Sequence, residues 1–210
     1  SGNPQKINAE IAAVMDATAN VNSSKLVFYT QPPGTAGGAP TERMRINSTG
    51  SVSIGSADAG KYKLNVNGDV NASAYVTNGT DYGEIFEKLD AGESIEAGDI
   101  VAVVSNRITK PENLGNTDAT LYMVATDTAG VLGNAGKHGI PVAFVGKVGT
   151  KVSGAVSEGD YILADGTSTG YAKARDDVTF DEFKKKVIGV ALESKNDGGT
   201  RRILVAVGVK

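Results

Sequence analysis

Between Met44 and Gly55 the apolar residues fall on every second position. Met44, Ile46, Val52 and Ile54 share one parity, and Ser48-Thr49-Gly50 separates the two halves with turn-forming residues. Successive side chains of a strand point to opposite faces, so the run predicts a β-hairpin with one apolar face. A similar unit follows. Tyr62, Leu64 and Val66 alternate, Asn67-Gly68 is a strong hairpin-turn dipeptide, and Val70, Ala72 and Ala74 continue the pattern. Both hairpins are thin and their side chains small. Ordering a residue costs about 1–2 kcal/mol, and an isolated hairpin is marginal in water. The first third of the chain therefore needs cover, either from the C-terminal half of the same chain or from copies of itself. Three chains around one axis would enclose Ile46, Val52, Ile54, Leu64 and Val66 in a shared prism.

The rest of the chain supports an all-β reading. Its 27 glycines among 210 residues are scattered between short Val/Ile-rich runs, the spacing of many short strands. Lys6–Ala19 reads as a short helix or an extended strand, Lys25–Thr30 as a strand, and the Pro- and Gly-rich Gln31–Pro40 as a loop. Beyond Asp81 the strands lengthen, at Ile100–Val104, Leu121–Ala125, Ile140–Val145, Gly146–Val152, Tyr161–Ala164, Val187–Leu192 and Arg202–Val209. Val178–Lys186 suits a helical turn or two. This half carries enough Val, Ile, Leu and Phe for its own core. The expected organisation is a connector over 1–24, an intertwined trimeric β-hairpin or β-prism shaft over 25–78, and a globular β domain, β-clip or barrel-like, over 79–210. Within that domain Ile95-Glu96-Ala97-Gly98-Asp99-Ile100-Val101 echoes Val156-Ser157-Glu158-Gly159-Asp160-Tyr161-Ile162. In each, a Gly-Asp turn launches a strand. The echo is either chance recurrence of a common turn or the mark of two related β lobes.

Charge selects no partner: the net charge is −3, with no basic stripe for nucleic acid or an anionic membrane. There is no cysteine, which removes disulfides, thiolate metal sites and a Cys nucleophile but does not set the compartment. No apolar run approaches the ~18 residues of a membrane-spanning helix. Ser1-Gly2-Asn3-Pro4 lacks the charged-then-apolar order of a secretory leader and reads as an expression scar or the cut end of something longer.

Catalytic constellations are missing from the pattern. The single histidine, His138, would have to be the base of any Ser-His-Asp triad, yet no Gly-x-Ser-x-Gly elbow lies near it. One histidine without cysteine is too little for zinc. Gly133-Asn134-Ala135-Gly136-Lys137 fails the spacing of a phosphate loop, and His138 stands where a hydroxyl residue is needed. Asn65-x-Asn67-Gly68-Asp69 lacks the downstream Glu of a calcium loop. Glu84 and Glu87 could be drawn as a glycosidase pair, but they share one short motif without a substrate cleft. Asn47-Ser48-Thr49, Asn71-Ala72-Ser73 and Asn78-Gly79-Thr80 are formal glycosylation sequons that turn chemistry explains. No enzyme activity and no cofactor are expected.

Thr41-Glu42-Arg43-Met44-Arg45-Ile46 through Gly55 resembles phage tail-fibre shafts, whose motif runs Glu-Arg-Met-Arg-Ile, a Ser-x-Gly turn, then Val-x-Ile-Gly. Lys63-Leu64-Asn65-Val66-Asn67-Gly68-Asp69-Val70 is similar to the companion motif, and Leu26-Val27-Phe28-Tyr29-Thr30 sits where that family places a strand. Downstream, Asp81-Tyr82-Gly83-Glu84-Ile85-Phe86-Glu87 resembles the start of fibre-terminal β domains. The strand pair around Gly139–Val148, Gly159-Asp160-Tyr161-Ile162, Gly170-Tyr171-Ala172 and Ile188–Glu193 resembles their closing pattern. Bacterial surface or fibre proteins share this cassette. The chain departs from many such fibres in lacking the Ser-Asp-x-Arg-x-Lys start of a self-cleaving chaperone.

The resemblance implies a homotrimer in a virion tail fibre or an extracellular surface fibre, with the C-terminal domain contacting a cell-surface glycan or protein. It equally admits a bacterial trimeric adhesin, or a head that only trimerises. It implies no nucleic-acid partner and no membrane insertion. Candidate contact loops are Asn106–Asn116, with Arg107, Lys110 and Asn113, and Thr128–His138. Tyr171 could stack on a sugar or pack within the closing strand.

Overall fold

The computed structural model describes residues 9–15, 23–33, 39–57 and 59–208. The chain divides into two compact units, Ser1–Tyr75 and Val76–Lys210. Apart from one short helix and two single turns of 3-10 helix, the regular structure among the described residues is β.

The first unit is a five-stranded sheet in chain order: β1 (Ala9–Met15), β2 (Ser24–Thr30), β3 (Thr41–Ile46), β4 (Val52–Ile54) and β5 (Leu64–Val66). The first four strands run antiparallel. The expected β3–β4 hairpin forms, with Met44 opposite Ile54 and Ile46 opposite Val52. Asn47 builds its turn: the side-chain oxygen accepts the N–H of Thr49 at 3.1 Å and of Ser51 at 2.8 Å, the bond that suits Asn to turns. Of Lys6–Ala19, the described part is the strand β1; the remainder, and the middle half of the Pro/Gly loop, lie outside the described residues.

The second expected hairpin does not form. Asn67-Gly68 does not turn the chain back on β5. Instead β5 lies parallel to β4, with Leu64 beside Val52 and Val66 beside Ile54. A local turn preference is outweighed by a non-local one, since β4 offers an open edge with an apolar row in matching register. From Gly68 to Asn78 the chain is exposed at every residue. Among the described residues, no backbone–backbone hydrogen bond reaches that stretch.

The second unit holds ten strands and one helix. The strands are β6 (Asp81–Phe86), β7 (Ile100–Val104), β8 (Arg107–Thr109), β9 (Leu121–Ala125), β10 (Ala129–Gly133), β11 (Ile140–Ser153), β12 (Tyr161–Ala164), β13 (Gly170–Lys173), β14 (Val187–Ala191) and β15 (Thr200–Val207). The helix is α1 (Phe180–Lys185). Two runs expected as separate strands, Ile140–Val145 and Gly146–Val152, are one 14-residue strand, β11. Gly146 makes the continuity possible. It pairs with Asp81 on one side and Val207 on the other, at φ +134°, and a Cβ there would lie 2.5 Å from Thr80 O. Only glycine fits that crossing.

The halves of β11 belong to different barrels. Its second half closes a five-strand ring, β11–β13–β12–β14–β15 and back to β11. Its first half joins β6, β9, β7 and β8. That ring is closed at Lys88–Ile108, where Ile108 N–H donates to Glu87 O and Leu89 N–H to Ile108 O. Closure removes sheet edges. Phe86, Val101, Val103, Ile108, Met123, Ala125 and Val142 make one core. The larger core gathers Val148, Val152, Ile162, Ile203 and Val205 with Ile100 and Val124. Alternate residues of β7 and β9 thus face different cores, which is why Ile100 to Val103 are all buried. The Gly-Asp echo corresponds to these two related lobes.

Candidate functional site

Register decides what the first unit presents. One cross-strand row runs Ile11, Phe28, Met44, Ile54, Val66; the next runs Ala13, Leu26, Ile46, Val52, Leu64. Cross-strand partners share a face, so ten side chains, all apolar, carpet one side of the sheet. None of them is buried; Leu26 (38%), Ile54 (39%), Leu64 (58%) and Ile11 (68%) are exposed outright. The buried positions, Val27 and Ser53, have the opposite parity and face the other side. A contiguous apolar face of this extent marks an interaction surface. The five residues singled out in the sequence, Ile46, Val52, Ile54, Leu64 and Val66, all lie on it. Ile11, Ala13, Leu26 and Phe28 were not singled out, although the alternation of Leu26 and Phe28 around Val27 carried the signal.

The second unit has a polar groove beside the β7–β8 turn. Ser105 (φ 48°) and Asn106 (φ 62°) adopt the left-handed conformations of a two-residue hairpin turn, which places Arg107 on the rim. Glu84, Glu87, Asn134 and Lys137 complete a recess of about 140 Å³. It continues into a shallower space of about 560 Å³ bordered by Lys88, Leu89 and His138. Asn134 Nδ2 donates to Glu84 Oε2 at 2.9 Å, and Arg107 Nε stands 3.9 Å from Glu87 Oε2. Such a rim can offer hydrogen bonds of both signs to a polyhydroxyl or peptide ligand. The expected loops Asn106–Asn116 and Thr128–His138 contain regular structure: β8 and a 3-10 turn in the first, β10 in the second.

The other candidates are engaged elsewhere. Lys110 Nζ lies 3.4 Å from the buried Asp99 carboxylate. Its backbone N–H and Asn113 Nδ2 both donate to Glu93 Oε1, at 2.9 and 2.6 Å. Lys151 Nζ donates to Asp99 Oδ1 at 2.7 Å and Glu96 Oε2 at 2.8 Å. Burial opposes the charge on Lys151, but the two carboxylates outweigh it and raise its pKa above the ordinary lysine value. Tyr171 sits half-buried in β13 opposite Leu163; burial, then the Glu182 carboxylate, push its phenol pKa up. The structure therefore does not bring Arg107, Lys110, Asn113 and Tyr171 together. Only Arg107 opens onto the groove.

Two further polar clusters went unread in the sequence. Asp81 is buried, and its Oδ2 accepts Thr126 Oγ1 at 2.9 Å and Thr128 Oγ1 at 2.8 Å, which anchors the start of β6. Lys195 is buried with its ammonium donating to the carbonyls of Gly154 (2.6 Å), Asp197 (2.9 Å) and Gly199. Both act within the fold, and neither has a motif that local pattern could reveal. No protein-family model matches this chain, and no curated protein is significantly similar to it.

Proposed function

We propose that this chain is a structural and adhesive segment of a homotrimeric fibre, of the phage tail-fibre kind. In this reading the first unit is a shaft element and the second a head. The carrying observation is the two-row apolar face of the first sheet, which bears ten apolar side chains and leaves all of them unburied. At about 25 cal/mol per Å² of apolar surface removed from water, covering such a face is the largest favourable term left to the unit. Copies of the same chain bring the same face. The number three comes from the resemblance of Thr41–Gly55 and Lys63–Val70 to fibre shafts.

The role is mechanical and multivalent. A stiff stalk presents three heads together, so weak single contacts add through effective concentration. The groove at Glu84, Glu87, Arg107, Asn134 and Lys137 is the proposed contact with a glycan or protein on a cell surface. Light scattering tests the assembly: the expected mass is three times 21.5 kDa, and a monomer at micromolar concentration overturns the reading.

A further inference from the structure

Among the described residues the first sheet has two open edges, and they are unlike. At one, β1 leaves one side of a seven-residue strand, Ala9–Met15, without a ladder partner among the described residues. At the other, the chain leaves β5 and runs out exposed through Gly68–Asn78. That stretch has the composition of a strand. Val70, Ala72, Ala74 and Val76 alternate with Asn71, Ser73 and Tyr75, and Val70 (54%), Tyr75 (65%) and Val76 (98%) stand in solvent. No backbone–backbone hydrogen bond reaches it among the described residues; the Val70 carbonyl accepts the Tyr75 hydroxyl at 2.8 Å.

We infer that Val70–Val76 is a strand supplied to a second copy of this chain, along the open edge of that copy's β1. Length and parity match: seven residues face seven, and the apolar set Val70, Ala72, Ala74, Val76 continues a face already carrying Ile11 and Ala13. The short β5, with three residues, offers no comparable edge. Within one copy the match is obstructed, because β1 lies four strand spacings from β5, roughly 19 Å at about 4.8 Å each. Between copies arranged head to tail, the departing edge of one faces the β1 edge of the next. Such a heterologous contact closes into a ring of three when each copy is rotated by one third of a turn from the last. Every long bare edge is then covered, as edges of β proteins generally are, and main-chain hydrogen bonds of the added strand supply the affinity.

The inference rests on the trimer proposed above but can fail separately from it. Amide hydrogen exchange on the intact chain, alongside its mass in solution, is the first measurement. The expected result is a trimer in which alternate amides of 70–76 exchange on the order of 100-fold more slowly than an open chain. A trimer with these amides exchanging freely overturns the added strand and leaves the trimer standing; a monomer overturns both. The second measurement separates copies. With no cysteine in the chain, a variant carrying Ala13→Cys and Ala72→Cys reacts only at those thiols with a short bis-maleimide. Bands at two and three chain masses under denaturing conditions are expected. Linkage confined to single chains, or none, overturns the inference. Ala74→Cys in place of Ala72→Cys guards against a shifted register.

Discussion

Asp99 and Asp160 occupy the same place in the two barrels. Each carboxylate accepts the backbone N–H three residues earlier, Glu96 and Ser157, at 2.9 Å in both. The equivalence extends outward. Gly98 and Gly159, at φ +90° and +95°, donate to the carbonyls of Ala125 and Ala191, and Asp99 and Asp160 accept from those same two alanines. A turn motif sharing these three hydrogen bonds in kind and partner is a repeat of architecture, with β7 and β9 in one lobe answering β12 and β14 in the other. The two aspartates differ in their surroundings. Asp99 is buried beside Lys151 and Lys110, whereas Asp160 stands half-exposed.

That difference predicts unequal costs. Asp160→Ala removes one turn bond and should lower unfolding stability by about 1 kcal/mol. Asp99→Ala also deprives two ammonium groups of their buried counter-charge and should cost roughly 3 kcal/mol. Urea unfolding followed by tyrosine fluorescence checks the order; equal effects would mean that the charges around Asp99 relax into water.

Gly189→Ala should be far more damaging than its size suggests. A Cβ at this buried β14 position would lie 2.1 Å from Ala206 O, a backbone atom of the paired β15. The two strands must separate, at a cost of about 3 kcal/mol or more for a strained buried contact. Gly198→Ala, with nothing within 4 Å, is the matched control and should leave the melting temperature within a degree or two. A stable Gly189→Ala variant would contradict the close β14–β15 approach.

Ile54→Asp places a carboxylate in the middle of the apolar face of the first sheet, next to Met44 and Val66. Assembly should be lost, since an isolated ionised carboxylate is costly to bury. His138→Ala, at an exposed position on the groove margin, should assemble as the parent does. Light scattering of both variants decides the matter, and an unchanged oligomer with Ile54→Asp removes the face from the interface.

The clasp of α1 on β13 should open in acid. Glu182 bonds both ways with Thr179, each residue's side chain accepting the other's backbone N–H. It also accepts two hydrogen bonds from Lys173 Nζ, at 3.0 and 2.8 Å. Lys173, then the Thr179 backbone and hydroxyl, lower the Glu182 pKa to about 2 from an ordinary 4.5. A depressed carboxyl stabilises the folded form fully above 4.5, and that contribution fades as pH falls towards 2. The Thr179 amide resonance should therefore shift in this window, while Glu182→Gln should flatten the response. A midpoint near 4.5 in the parent would show that the clasp is absent.

Parity along each strand was legible in the amino-acid order. The apolar positions of Met44–Ile54, the Asn47 turn, the helical turn ending at Lys185 and the Gly-Asp echo all follow from properties of neighbouring residues, which the chain carries wherever it goes. Partner choice was not legible. Nothing near Asn67-Gly68 announces that β5 joins β4 in parallel rather than turning back, because the edge it joins was made by residues distant in sequence. Arg107, Lys110 and Asn113 look alike in one polar run. Only tertiary structure engaged Lys110 with the buried Asp99 and Asn113 with Glu93, and left Arg107 at the groove. Side-chain alternation is set by covalent geometry one residue at a time, whereas pairing and burial depend on which distant groups folding brings within a few ångströms.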